Sequence, residues 1–205
     1  GLYLEASTDR AYANPDEPIK LDLEVTNRSP IQLKLTEVQL SAEKKLDPNA
    51  DLNENEQFKA SVEFSIPGDA EYSTPYWLEK PAKYSVYNIP DERSPLLPIE
   101  EPQFQVKFEL MIDGEPISFE QPIYRKFRDR VAGEVIDPFF VHPKASVAFS
   151  NEVDIFKNKQ ARQVEVKLKS YADQVKGQLR IKKTADWEIS PKSHQVTIDQ
   201  KEDEM

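Results

Sequence analysis

Side chains able to act on a substrate are sparse in this chain, and their spacing limits what they could do. The two histidines stand apart: His142 precedes Pro143 and His194 lies in a separate turn, so neither belongs to a His-x-x-His or His-Glu-x-x-His pattern. With 0 cysteines, a zinc site would need both histidines together with carboxylates, and no disulfide framework can form. Both histidines read as packing or surface residues. A serine nucleophile needs a base and a strained elbow such as Gly-x-Ser-x-Gly, and that sequence is missing. Neighbouring carboxylates such as Asp91-Glu92 and Glu100-Glu101 are expected in a chain of formal net charge -10. A glycosidase needs two carboxylates set across a cleft, which adjacency does not provide. Asp47, Asn49, Asp51 and Asn53 sit two apart, like the oxygen-rich start of a calcium loop. The sixth position is Leu52 instead of Gly and the twelfth is Phe58 instead of Glu, so the segment reads as a solvated hairpin loop. The sequence assigns no catalytic residue, no metal ligand and no cofactor.

Aromatic residues offer the other chemistry. Between Pro67 and Pro102 the apolar alternation stops, prolines recur, and Tyr72, Tyr76, Trp77, Tyr84 and Tyr87 crowd into the first half. Connections longer than about 15 residues are uncommon in compact domains and tend to be functional or disordered, and the aromatics argue against disorder. Tyr76 and Trp77, with Tyr72, Tyr84 and Tyr87, could form a flat platform for a sugar ring or a partner protein. Alternatively, Trp77 and Leu78 plug one end of a β-sandwich while the prolines stiffen a long crossover.

The elements that must position this loop are strands. Phe104, Val106, Phe108, Leu110 and Ile112 alternate with polar residues, Asp113-Gly114 supplies turn chemistry, and Ile117, Phe119 and Ile123 resume the alternation. This pattern predicts a β-hairpin with one apolar face, which the rest of the chain must cover. Leu2 to Ala6 reads as an edge strand. Ile19 to Val25 and Phe58 to Ile66 read as alternating strands, and Leu33 to Leu40 shows a slip in parity between Leu35 and Val38 that predicts a bulge. Arg125, Lys126, Arg128 and Arg130 form a small basic run, read as the exposed end of a strand leading into a domain joint. Beyond it, short strands are expected at Val147 to Phe149, Val153 to Phe156, Val164 to Leu168, Val175 to Ile181, Trp187 to Ile189 and Val196 to Ile198. The final Lys201 to Met205 reads as a charged turn, with the natural terminus expected further on.

Composition bounds the partners. An acidic chain without a basic stripe is a poor match for nucleic acid, and no apolar run approaches the roughly 20 residues of a transmembrane helix. Only 5 glycines are present and Gly-x-Gly-x-x-Gly is absent, which disfavours nucleotide folds. The chain opens on Gly1 with neither an initiator Met nor a signal peptide, and so reads as a mature or excised piece.

Pro75-Tyr76-Trp77-Leu78 followed by Pro81, and Val131-Ala132-Gly133-Glu134-Val135 followed by Pro138 and Pro143, resemble the region behind the catalytic domain of Bacteroidetes-type PIG-L (LmbE-like) sugar de-N-acetylases. The hairpin and the Tyr124-Arg125-Lys126 segment stand between these stretches in the family's order, and the resemblance covers residues 60 to 145. The family's Ala-His-Pro-Asp-Asp motif is absent and His142-Pro143-Lys144 does not replace it, so no catalytic residue carries over. The resemblance implies an accessory region of a secreted or periplasmic, cell-surface enzyme acting on N-acetylated sugars. Its partners would be the parent's catalytic domain and a glycan.

The expectation is an all-β chain of two tandem immunoglobulin-like antiparallel β-sandwiches, residues 1 to 130 and 131 to 205. It would serve as a non-catalytic module that positions the enzyme on a glycan or cell surface. The alternative is an adhesin or structural module that binds protein by pairing along an exposed edge such as Leu2 to Ala6.

Overall fold

The computed structural model describes residues 1–41, 44–75, 77–83, 86, 102–151, 153–156, 160–183 and 185–205. Every regular element among them is a strand. Two compact units emerge, Gly1–Val141 and His142–Met205. The sequence reading set the joint after Arg130. In the structure Gly133–Pro138 lies in register against Tyr124–Asp129, which keeps that stretch with the first unit.

The first unit opens with β1 (Leu2–Thr8), β2 (Tyr12–Ala13), β3 (Pro18–Asn27) and β4 (Leu33–Gln39). Short strands β5 (Lys45–Leu46) and β6 (Ala50–Leu52) follow, then β7 (Gln57–Ser65), β8 (Gln105–Ile112), β9 (Glu115–Asp129), β10 (Gly133–Pro138) and β11 (Phe140–Val141). One continuous sheet runs β5-β4-β8-β9-β1-β3-β7, with β6 also on β4 and β10 also on β9. Ile19, Leu21, Leu23 and Val25 on β3 share one buried cluster with Leu35 and Val38 on β4 and Val106, Phe108 and Leu110 on β8. Each of these strands buries alternate residues, so the sheet must fold over to bring two faces onto a common core.

β9 makes that fold possible. Its first half pairs with β8 from Glu115 to Pro122, and its second half pairs in parallel with β1 at Ile123 to Arg125 and antiparallel with β10. The turn ahead of it has Asp113 at φ 51° and Gly114 at φ 83°, the two positive angles of a type I′ turn, as the Asp-Gly pair predicts. The expected apolar face is realised unevenly. Phe108 and Leu110 are buried, whereas their cross-strand partners Phe119 and Ile117 stand 37% and 38% exposed at the sheet margin. Alternation sets which way a side chain points and leaves open whether anything covers it.

The parity slip in β4 is a bulge. Leu35 pairs with Leu110 and Glu37 with Glu109, leaving Thr36 extra, and the Thr36 hydroxyl donates to the Glu109 carbonyl at 2.9 Å. β1, expected at an edge, lies inside the sheet: β3 holds it from Leu2 to Ser7 and β9 holds Ala6 to Thr8. Its partners come from distant sequence, which no local pattern announces. Of the acidic segment expected as a solvated hairpin loop, Ala50–Leu52 folds onto β4 with Leu52 opposite Leu33 and buried, while Asn53 to Glu56 stays exposed around a turn.

A single side chain fastens the end of β3. Asn27 is fully buried, and its amide nitrogen donates to the Ile31 carbonyl at 2.8 Å and the Leu52 carbonyl at 2.9 Å. Its amide oxygen accepts from the Ser29 amide at 2.9 Å and the Ser29 hydroxyl at 2.8 Å. The full hydrogen-bonding capacity of the group is used, which is the condition for burying it without penalty.

The second unit contains two antiparallel pairs, β12 (Ala145–Phe149) with β13 (Val166–Ser170) and β14 (Val175–Leu179) with β15 (His194–Ile198). Leu168, Val196 and Ile198 form its core. Val153 to Phe156 and Trp187 to Ile189, expected as strands, form no ladder among the described residues. Val153 and Ile155 are 77% and 71% exposed, while Phe156 and Trp187 meet edge to face at 4.8 Å. β-like composition without a partner edge gives an extended segment and no strand. The expected charged turn at the end is confined to Lys201 and Glu202. Beyond it the Met205 and Leu168 backbones exchange bonds of 2.9 Å in both directions, so the tail runs along β13.

Asn27→Leu leaves two carbonyls and the Ser29 amide without partners and is expected to cost the first unit about 2–4 kcal/mol. Urea unfolding followed by Trp77 fluorescence in a Trp187→Phe background measures this. An unchanged midpoint would remove the anchoring role of Asn27.

Candidate functional site

The proline-rich loop is held at its start by a strand. The Ser73 amide donates to the Val141 carbonyl at 2.9 Å, and the Val141 amide donates to the Ser73 hydroxyl at 2.8 Å. Val141 is buried on β11, which lies parallel to β2. Farther along, the Leu78 amide donates to the Pro75 carbonyl at 2.7 Å, and Lys83 and Val86 exchange backbone bonds of 3.0 and 3.1 Å. Tyr72 and Leu78 are each 54% exposed, while Trp77 is half-buried. Of the five platform residues expected from the sequence, Tyr72 and Trp77 are therefore placed on a pinned loop. Tyr76, Tyr84 and Tyr87 lie outside the described residues.

Leu78 is not a core plug. The core is closed by aromatics from separate segments: Phe64 meets Phe104 edge to face at 5.6 Å, and Phe104 meets Phe139 at 6.5 Å. Each belongs to a different stretch of sequence, so their convergence leaves no local signature.

The strongest electrostatic arrangement lies elsewhere, on the polar face of β9, β1, β3 and β7, and sequence reasoning missed it. Outward-pointing residues of β1 and β3 set Glu5 directly opposite Glu24, a like-charge pair that would destabilise the sheet unrelieved. Cations flank the pair on both sides. Lys126 donates to Glu5 Oε2 at 2.8 Å and approaches Glu134 at 3.3 Å, while Lys59 approaches Glu24 at 3.2 Å. The Tyr3 hydroxyl also donates to Glu5 Oε2, the Ser7 hydroxyl to Glu5 Oε1 at 2.9 Å, and the Thr26 hydroxyl to Glu24 Oε1 at 3.0 Å. An open depression of about 280 Å³ lies over this face, lined by Glu5, Asp22, Glu24, Lys59 and Ser61 among others.

Burial alone would raise the Glu5 carboxyl. The hydrogen bonds from Lys126, Tyr3 and Ser7 outweigh it and hold the group below the ordinary carboxylate range. The Tyr3 hydroxyl is pushed up to about 12, first by its bond to Glu5 and then by burial. Lys126 moves upward, chiefly through its bond to Glu5. A carboxylate kept ionised with its lone pairs occupied is poorly suited to proton transfer. These charges fix how the strands are paired.

The first two residues of the basic run are absorbed in the same way, while Arg128 and Arg130 stand exposed at its end. Lys126 is taken by β1 and β10, and Arg125 lies 3.5 Å from Asp137 with its guanidinium 3.9 Å above the Phe127 ring. His142 stacks edge to face on Tyr171 at 5.3 Å, and burial lowers its pKa. No group of three or more His, Asp or Glu residues placed to hold a metal occurs among the described residues. No described helix is long and apolar enough to cross a membrane.

The sign of the pH dependence follows from these directions. The Glu5 contribution is full above its unfolded value near 4.5 and is lost as pH falls through the lower folded value. The Tyr3 contribution is full below 10.0 and is lost as pH rises through about 12, reduced by solvent because the ring is only half-buried. Urea midpoints of the first unit should decline from pH 5 to pH 3, and less steeply in Glu5→Gln. Lys126→Met should cost about 1–3 kcal/mol at pH 7 by removing a charged donor. Parallel pH profiles for wild type and Glu5→Gln would contradict the assignment.

No protein-family model, no curated protein and no solved structure matches the chain.

Proposed function

We propose that the chain is a non-catalytic accessory module of a secreted or periplasmic bacterial PIG-L-type N-acetylglucosaminyl de-N-acetylase, with its two units built as immunoglobulin-like sandwiches. The module positions the parent enzyme on a glycan or cell surface through the Tyr72 to Tyr87 loop, and its partners are that catalytic domain and the glycan. The observation that carries this reading is an exposed aromatic ring on a fixed support. Tyr72 is solvent-exposed next to Ser73, which is bonded in both directions to buried Val141. Flat rings on a rigid scaffold bind sugar faces with little loss of conformational freedom.

Two segments of the resemblance also prove to be one piece of structure, which supports treating them as a unit. Tyr124-Arg125-Lys126 and Gly133-Glu134-Val135 lie on the paired strands β9 and β10, where Tyr124 to Lys126 faces Ile136 to Pro138 and the Lys126–Glu134 pair links the two stretches diagonally. Gly133 sits at φ 83°, and the Asp129 carboxylate accepts from the Val131 and Ala132 amides at 2.8 Å each. The Gly-Glu-Val stretch is thus the exit of a tight hairpin.

Retention of the full chain on an insoluble N-acetylglucosamine polymer tests the reading. Tyr72→Ala and Trp77→Ala are each expected to reduce retention about tenfold or more, in line with loss of a stacking ring, while the first unit, which carries the loop, stays folded by circular dichroism. In the Trp187→Phe background, acrylamide should quench Trp77, and the polymer's soluble oligosaccharides should protect it. Equal retention by wild type and both variants would overturn the glycan role of the loop.

A further inference from the structure

β7 ends the sheet, with β3 on one side and no strand on the other among the described residues. Its register defines which backbone groups are left over. Pro18 lacks an N–H and sits opposite Ser65, which makes that a non-hydrogen-bonded pair. Alternation then turns the amides and carbonyls of Gln57, Lys59, Ser61, Glu63 and Ser65 away from β3, toward the open edge. The Lys44 ammonium confirms this direction by donating to the Glu63 carbonyl. Among the described residues, the other long open edge, on the first half of β9, carries Pro116 and Pro122 at positions whose partners are Met111 and Gln105. Proline at such sites blocks strand addition. β7 contains no proline and no bulge, and its pairing with β3 is uninterrupted over nine positions from Pro18 to Thr26.

The sequence of this edge is complementary to its own reverse. Around Ser61, Lys59 is matched by Glu63, Ala60 by Val62, Phe58 by Phe64 and Gln57 by Ser65. The geometry points to a second copy of this chain as the occupant of the β7 edge, paired antiparallel about a two-fold axis at Ser61. In that register each outward-facing amide and carbonyl meets its counterpart, because Ser61 and the residues two and four positions away are the ones that face the edge. Lys59 of each copy stands opposite Glu63 of the other, giving two symmetry-related ion pairs. On the opposite face, half-buried Phe58, Ala60 and Val62 extend the core of one copy toward that of the other. A register shifted by one residue at the axis keeps the backbone bonds but sets Lys59 against Ser61, so charge selects the Ser61-centred pairing. Lys44 must release the Glu63 carbonyl for the edge to close, which makes it a gate on association. This interaction surface is independent of the glycan role of the loop.

Sedimentation equilibrium of the full chain over a wide concentration range tests the pairing, with circular dichroism to verify folding of each variant. A monomer–dimer equilibrium that weakens with salt is expected. Ser61→Pro removes the edge-facing amide together with the hydroxyl that donates to Asp22 and should abolish the dimer, whereas Ser61→Ala, which loses the hydroxyl alone, should not. Lys59→Glu and Glu63→Lys should each weaken it roughly tenfold or more by opposing like charges. Mixing these two variants should restore association as a heterodimer, because every opposed pair is again of opposite sign. Lys44→Ala should strengthen the dimer. A folded chain that stays monomeric at all concentrations would overturn the inference, as would a dimer indifferent to Ser61→Pro or a mixture of the charge variants that does not associate.

Discussion

A strand buried in a sheet must have its backbone bonds satisfied on both sides, and in the first unit that requirement falls hardest on β9. Its 15 residues serve β8 first and then β1 and β10. The exchange happens at Pro122-Ile123. Pro122 has no amide hydrogen to place, and the Ile123 amide donates to the Phe104 carbonyl at 3.0 Å while its side chain is buried. Both faces of the common core hang from this one strand. Loss of either set of partners would expose the backbone of the other to water.

The polar face follows from the same constraint. Bringing β1 beside β9 and β3 sets Glu5 between Lys126 and Glu24, so a topology chosen by backbone pairing creates an electrostatic problem that side chains solve. Tyr3, Ser7 and Lys126 fill the lone pairs of Glu5, while Thr26 and Lys59 serve Glu24. Partly buried ion pairs of this kind contribute modestly to stability, and breaking one side leaves a charge without compensation. The arrangement fixes the strand register more than it adds free energy.

Much of the fold was legible because its signals are local. Alternation located β3, β4, β7 and β8, Asp113-Gly114 announced the I′ turn, and the slip between Leu35 and Val38 announced the bulge at Thr36. The rest depends on partners far away. Glu5 and Lys126 stand 121 residues apart, so the charge network had no local signature. Leu2 to Ala6 reads as an edge because nothing in it names β9. Val153 to Phe156 and Trp187 to Ile189 have the composition of strands, but composition cannot supply a neighbour. Of the aromatic loop, exposure of Tyr72 and partial burial of Trp77 are structural facts that spacing alone could not decide, since a ring suited to a sugar face is equally suited to a core.

The parallel contact between β1 and β9 also sets an order in time. A chain emerging from the ribosome presents Leu2–Thr8 before the rest of the first unit, and β3 can capture it early, but Ile123–Arg125 is made much later. Until then the β9 side of β1 stays open at Ala6 to Thr8, and the polar face lacks Lys126. Non-local pairing of this kind raises the contact order and slows closure, placing such a domain toward the millisecond-to-second end of folding rates. The nascent first unit therefore passes through a period with an unpaired inner edge, the kind of surface that makes a folding intermediate prone to aggregate.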